Sequence, residues 1–125
     1  MKNDKKVVLI VEDDEMISSM YKMKLDAGGY EVLIADNGAD GLETAKKEKP
    51  DMILLDVILP QLDGFSVLEG LKENEGTKNI PVMVLTNLGT EEDMEKGKKM
   101  GAVDYIVKAN LTPAEVINKV AEHLK

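Results

Sequence analysis

The feature that most constrains this chain is a regular alternation of five short apolar runs with segments of helical spacing. The runs are Lys6 to Val11, Glu31 to Ala35, Asp51 to Leu55, Pro81 to Leu85 and Val103 to Val107. Runs of this length, rich in β-branched and aliphatic residues, read as strands. Between them, apolar residues recur at helical intervals: Ile17, Met20 and Tyr21; then Ala39, Leu42 and Ala45; then Phe65, Leu68 and Leu71. The last helix has the clearest signal. Thr112-Pro113-Ala114-Glu115 combines a capping box with proline at the first helical position, and Val116, Ile117, Val120 and Leu124 form one stripe. The fourth, from about Glu91 to Met100, starts on a Thr90 cap but has only Met94 and Met100 as main anchors. It also carries Gly97, which costs roughly 1 kcal/mol against alanine in a helix. A helix so poorly tied to the core is expected to shift easily.

Strands that alternate with helices form a parallel sheet covered on both faces. Runs one, three and four are continuously apolar in their cores, as central strands are, whereas run two begins at Glu31 and run five is interrupted by Asp104. The expected architecture is therefore α/β: a single flavodoxin-like (βα)5 domain over residues 1–125, strand order 2-1-3-4-5, helices on both faces. In such a sheet ligands bind outside the carboxyl ends of the strands, at the switch point between strands one and three. Those are the ends that carry acids. Val7 to Val11 runs directly into Glu12-Asp13-Asp14, and Ile53-Leu54-Leu55 stops at Asp56. Adjacent carboxylates repel unless a cation or proton lies between them. Hard oxygen donors with no histidine or thiolate nearby suit Mg²⁺ or Mn²⁺. Asp14 has a simpler reading as the cap of helix one. Strand four runs into Thr86 and strand five into Lys108, which adds a hydroxyl donor and a cation to the same crevice. That combination stabilises a phosphoryl group during transfer.

Composition removes other classes. With no cysteine, disulfides, thiolate catalysis and zinc-thiolate sites are out, and the lone histidine, His123, falls in the terminal turn of the last helix, where an exposed structural role is expected. The formal charge is −8 and all 16 basic residues are lysine, so neither clustered positive charge nor a guanidinium grip is available for nucleic acid. The charged start Met1-Lys2-Asn3-Asp4-Lys5-Lys6 precedes an apolar run too short for a signal peptide or membrane span, and the expectation is a cytoplasmic protein with no membrane partner. The fifth helix, running to Lys125, suits a stand-alone protein.

The chain resembles the CheY-like receiver domains of two-component response regulators over essentially its whole length. The resemblance lies in Val11-Glu12-Asp13-Asp14, Asp56 through Gly64, Leu85-Thr86, and Gly101 through Lys108. It implies a phosphorylation-dependent signalling switch in which Asp56 accepts a phosphoryl group from a sensor histidine kinase or histidine phosphotransfer protein. It implies Mg²⁺ held by Asp13, Asp56 and the carbonyl of Ile58, with Glu12 acting mainly through water. Lys108 would pair with the phosphoryl oxygens and Thr86 would move to hydrogen-bond them. Tyr105 would be the switch aromatic, rotating inward to reshape the surface of helix four, strand five and helix five for a downstream protein. Both a monomer and a phosphorylation-driven dimer fit the resemblance.

Several residues depart from the family pattern. Lys108 is followed by Ala109 and Asn110 where proline is common. A cis bond to alanine would cost roughly 2.5–4 kcal/mol, so a trans peptide and a re-routed loop are expected. Asn87 follows Thr86 where a small residue is usual. Ile58 and Leu88, two positions after Asp56 and Thr86, are apolar; they cannot orient an attacking water and would shield the anhydride, which predicts a long-lived phosphorylated state. A Mg²⁺-dependent phosphohydrolase with an aspartyl-phosphate intermediate is the alternative. The haloacid-dehalogenase pattern, however, needs a second aspartate where Ile58 stands. A flavin domain would put phosphate against Glu12-Asp13-Asp14, with no Ser/Thr/Gly-rich loop to receive it.

Overall fold

A computed structural model describes residues 5–124. Five strands alternate with five helices: β1 (Val7–Val11), α1 (Glu15–Ala27), β2 (Glu31–Ala35), α2 (Gly38–Glu48), β3 (Met52–Leu55), α3 (Gly64–Glu73), β4 (Val82–Thr86), α4 (Glu91–Lys99), β5 (Asp104–Val107) and α5 (Pro113–His123). Every pairing is parallel and the order is β2-β1-β3-β4-β5, as the polarity of the runs predicts. The expected end of the fifth helix at Lys125 lies outside the described residues.

Alternation along the strands sorts the core into two layers. Val8, Ile10, Leu54, Met83, Leu85 and Ile106 pack with Tyr21 and Leu25 of α1 and Val116 and Val120 of α5. Leu9, Val11, Ile53, Leu55 and Val82 pack on the opposite face with Ala45 of α2 and Val67, Leu68 and Leu71 of α3. Each fully buried aliphatic side chain contributes about 1.5–3 kcal/mol of transfer free energy. A smaller cluster of Val57, Val84 and Tyr105 carries the underside of α4, with Phe65, Leu88 and Met94 against it.

Two helices bury Ala45, Leu68 and Leu71 as their spacing suggests but depart from it at Ala39 and Phe65. In α2 the buried face is Gly38, Gly41 and Ala45, while Ala39 is exposed. The helix lies so close to the sheet that a β-carbon on Gly41 would come within 2.7 Å of Val11 Cγ1, which only glycine avoids. In α3 Val67 takes the fully buried place and Phe65 is only half-buried, turned towards α4 with the Lys96 ammonium 4.3 Å from its ring centre. The caps at Asp14, Thr90 and Thr112 form as expected. No described peptide bond is cis, so Lys108-Ala109 is trans, and the chain turns there in a single 3₁₀ turn, Lys108–Asn110. Among the described residues no helix is long and apolar enough to cross a membrane.

Candidate functional site

The ladder carries both acidic loops to the carboxyl end of the sheet. Beyond β1 the Glu12 amide donates to Ala35 O (3.0 Å), and beyond β3 the Asp56 amide donates to Val11 O (3.0 Å). Glu12 and Asp56 are thereby fixed side by side at 5% and 7% exposure, while Asp13 points to solvent. Asp14 leaves the cluster: its carboxylate accepts the Ile17 amide at 3.2 Å and caps α1. One carboxylate oxygen from each of Glu12, Asp13 and Asp56 lies within 4.8 Å of the others. Glu12 and Asp13 also line an acidic cleft of about 610 Å³ that opens the cluster to solvent beside Glu15 and Asp36.

The donors around Asp56 come from three elements. Oδ1 accepts the Ile58 amide at 2.9 Å and the Thr86 hydroxyl at 2.7 Å, and Oδ2 accepts Lys108 Nζ at 2.9 Å. Lys108 donates to Glu12 Oε1 as well, and Glu12 Oε2 accepts the Asp14 amide at 3.1 Å. One ammonium thus serves two buried carboxylates. Burial pushes the Glu12 carboxyl above its usual range, partly countered by its bond from Lys108. Burial works against the Lys108 ammonium, but the bonds and charges of Glu12 and Asp56 outweigh it and hold Lys108 above the usual lysine range. When all are ionised, the three carboxylates and one ammonium leave two negative charges uncompensated. A divalent cation with a preference for oxygen ligands matches both the charge and the donor set.

A second chain of bonds leads inward. Thr86 Oγ1 also accepts the Leu88 amide at 3.3 Å, and the Leu88 carbonyl accepts the Tyr105 hydroxyl at 2.5 Å. Tyr105 is 4% exposed, and burial pushes its phenol up to about 12. Asp56 and Tyr105 are therefore linked through Thr86 and the main chain of Leu88.

The structure brings together Glu12, Asp13, Asp56, Thr86 and Lys108, with Tyr105 one layer behind. Ile58 meets Asp56 through its amide, while the residue is 55% exposed. Leu88 packs on the Val57, Val84 and Tyr105 cluster. Asn87 is exposed and shares a cleft of about 250 Å³ with Tyr21, Lys108 and Ala109. His123 lies away from the site, exposed, with Nε2 3.6 Å from Asp104 Oδ2. The Leu88 link was missed by sequence reasoning because main-chain groups carry no residue signature.

A family model for the response regulator receiver domain matches residues 8–121, and the chain belongs to that family. The DNA-binding dual master transcriptional regulator RpaA of Synechocystis is 42% identical over 101 residues, 81% of this chain and 42% of that protein. Protein PilH of Pseudomonas aeruginosa is 41% identical over 103 residues, 81% of this chain and 84% of that protein. The receiver domain of the sensor histidine kinase PA1611 from Pseudomonas aeruginosa, with a magnesium ion coordinated in its active site cleft, matches with a TM-score of 0.86 at 27% identity, covering 96% of this chain and 98% of that one. The chain spans about half the length of the transcriptional regulators it matches. Receiver domains are phosphorylation-dependent switches rather than classical enzymes, and they generally bind Mg²⁺.

Proposed function

We propose that Asp56 is the phosphoacceptor of this receiver and that a phosphohistidine of a sensor histidine kinase or histidine phosphotransfer protein is its donor. The observation that carries the reading is the Asp56 carboxylate itself: buried, flanked by two further acids, and bracketed by Lys108 at 2.9 Å and Thr86 at 2.7 Å. A carboxylate oxygen of Asp56 attacks phosphorus, the P–N bond breaks, and the donor imidazole leaves with its electron pair while the acyl phosphate forms. Asp13 and Asp56 would hold Mg²⁺ directly with the Ile58 carbonyl, and Glu12 would act through water. Bound there, the metal supplies positive charge to the carboxylates and to the phosphoryl oxygens.

The protein's own groups do the rest. Lys108, shared between Glu12 and Asp56, is already where a cation is needed as charge develops on the transferred group. The Thr86 hydroxyl, donating to Asp56, redirects its proton to a phosphoryl oxygen, and the Leu88 main chain passes that change to Tyr105. The output is the surface formed by α4, β5 and α5, read in the cytoplasm by a downstream protein.

Incubation with Mg²⁺ and beryllofluoride tests the reading by fluorine NMR. A saturable adduct that is lost in Asp56→Asn is expected. No adduct, with steady release of phosphate from a small phosphodonor over many turnovers, points to a phosphohydrolase; neither behaviour points to a receiver used as a passive binding module.

A further inference from the structure

We propose that Gly97 is a positioning residue for the switch: by lacking a β-carbon it forms the seat on which the Tyr105 ring rests, and so sets how readily Tyr105 turns inward. The inference rests on the reading of Tyr105 as the switch aromatic and adds the residue that tunes it.

Gly97 lies in the interior of α4, where glycine is the least favourable residue after proline, and it is the buried residue of that helix. A β-carbon there would stand 2.7 Å from Tyr105 Cδ2 and 3.0 Å from Tyr105 Cε2. Carbon pairs settle at about 3.5–4.0 Å, so the ring and the helix backbone are in direct contact with no room for a side chain between them. Phe65 Cε1, at 3.9 Å from the same point, closes the other side of the seat. The phenol is then held at the correct distance for its bond to the Leu88 carbonyl, 2.5 Å, and through Leu88 it reaches Thr86 and Asp56.

Two features make the ring the part that yields. Tyr105 turns about side-chain torsions and its hydroxyl is tied by one bond to the Leu88 carbonyl, whereas moving α4, thin as its apolar anchoring is, would pull both Met94 and Met100 from their clusters and disturb the start of the helix, where Thr90 accepts the Asp93 amide at 3.1 Å. An added methyl therefore displaces the ring towards solvent rather than lifting the helix. In this chain the balance between inward and outward Tyr105 is set by the absent methyl at position 97 as well as by the state of Asp56.

Nitration of the full chain by tetranitromethane at fixed pH, followed by peptide mapping, reads the position of Tyr105 without any phosphodonor. The reagent attacks the phenolate, whose fraction falls about tenfold for each unit by which burial raises the phenol. Wild-type Tyr105 is expected to be protected, and Gly97→Ala to be nitrated at Tyr105 roughly tenfold faster or more, with Tyr21 and Tyr30 unchanged as internal references. Loading Asp56 with beryllofluoride should bring the Gly97→Ala rate back towards wild type. Equal nitration of Tyr105 in wild type and Gly97→Ala overturns the proposal. A missing beryllofluoride adduct counts against Asp56 as acceptor and leaves the comparison at Tyr105 intact. If Gly97→Ala folds too poorly to nitrate, melting in a Tyr105→Ala background decides instead: without the ring the added methyl should raise the melting temperature, and a decrease there overturns the proposal.

Discussion

Replacing Lys108 by methionine keeps most of the volume of the side chain and removes the ammonium that Glu12 and Asp56 share. Their side chains are only 6% and 8% exposed, so water replaces the ammonium poorly. The cheapest relief is a proton on Glu12, whose carboxyl burial already pushes up from its ordinary 4.5. Holding a proton at pH 7 on a group of ordinary value costs about 3.4 kcal/mol at 1.36 kcal/mol per unit, which is a ceiling because burial covers part of it. That figure agrees with the roughly 3–5 kcal/mol lost when one partner of a buried ion pair is removed. Lys108→Met should therefore lose about 3 kcal/mol without metal, which lowers melting by roughly 10 °C in a domain of this size. The loss depends on pH with a definite sign. A carboxyl raised in the folded state contributes stability that is present below about 4.5 and lost as pH rises through its folded value, so the gap to wild type widens with pH. At pH 5.5 the ceiling falls to about 1.4 kcal/mol. Thermal unfolding followed by circular dichroism, in chelator at pH 5.5 and 7 and then with Mg²⁺, measures all three terms; added Mg²⁺ should narrow the gap. A variant as stable as wild type at pH 7 in chelator, or a gap that ignores pH, would refute the electrostatic account of the cluster.

Other consequences can be measured separately. Ile58, exposed two residues after Asp56, has no group to orient water, so phosphate on the isolated domain should persist and Ile58→Asn should speed its loss; hydrolysis of the wild type within seconds contradicts this. Thr77 is fully buried and donates to the Leu71 carbonyl at 2.7 Å, tying the end of α3 to the loop before β4. Thr77→Val leaves that carbonyl unpaired and should cost about 1–2 kcal/mol in urea unfolding, and an unchanged midpoint argues against the bond. The Tyr105 phenol, pushed up to about 12, stabilises the fold fully below pH 10 and loses that contribution as pH climbs towards 12. Wild type should lose stability over that window relative to Tyr105→Phe, and parallel curves would contradict the burial of the hydroxyl.

The sheet was legible because parallel strands buried on both faces must be apolar throughout, and Leu9, Leu54 and Val84 in the interior contrast plainly with Glu31 and Asp104 at the edges. The site was legible for a related reason: the carboxyl ends of adjacent strands converge, so Glu12, Asp56, Thr86 and Lys108 could be grouped from their places after apolar runs. Contacts that depend on how closely elements approach were not. Gly41 reads as a turn former or a weak helix residue, and only the contact with Val11 shows it to be a packing residue. Val67 and Phe65 are equally apolar in a periodicity count, and the neighbouring α4 decides which is buried. The departure at Ala109 was readable from the cost of a non-proline cis bond, whereas the 3₁₀ turn that replaces it was not.

On the proposed function, Asp56 accepts a phosphoryl group in a pocket that requires a divalent cation. Treating the chain with a small acyl phosphate in the presence and absence of Mg²⁺, then measuring intact mass and mapping the modified peptide, tests it most directly. One phosphoryl group is expected, on Asp56, formed only with Mg²⁺ and absent in Asp56→Asn. Modification at another residue, or modification of Asp56 that proceeds equally well in chelator, would contradict it.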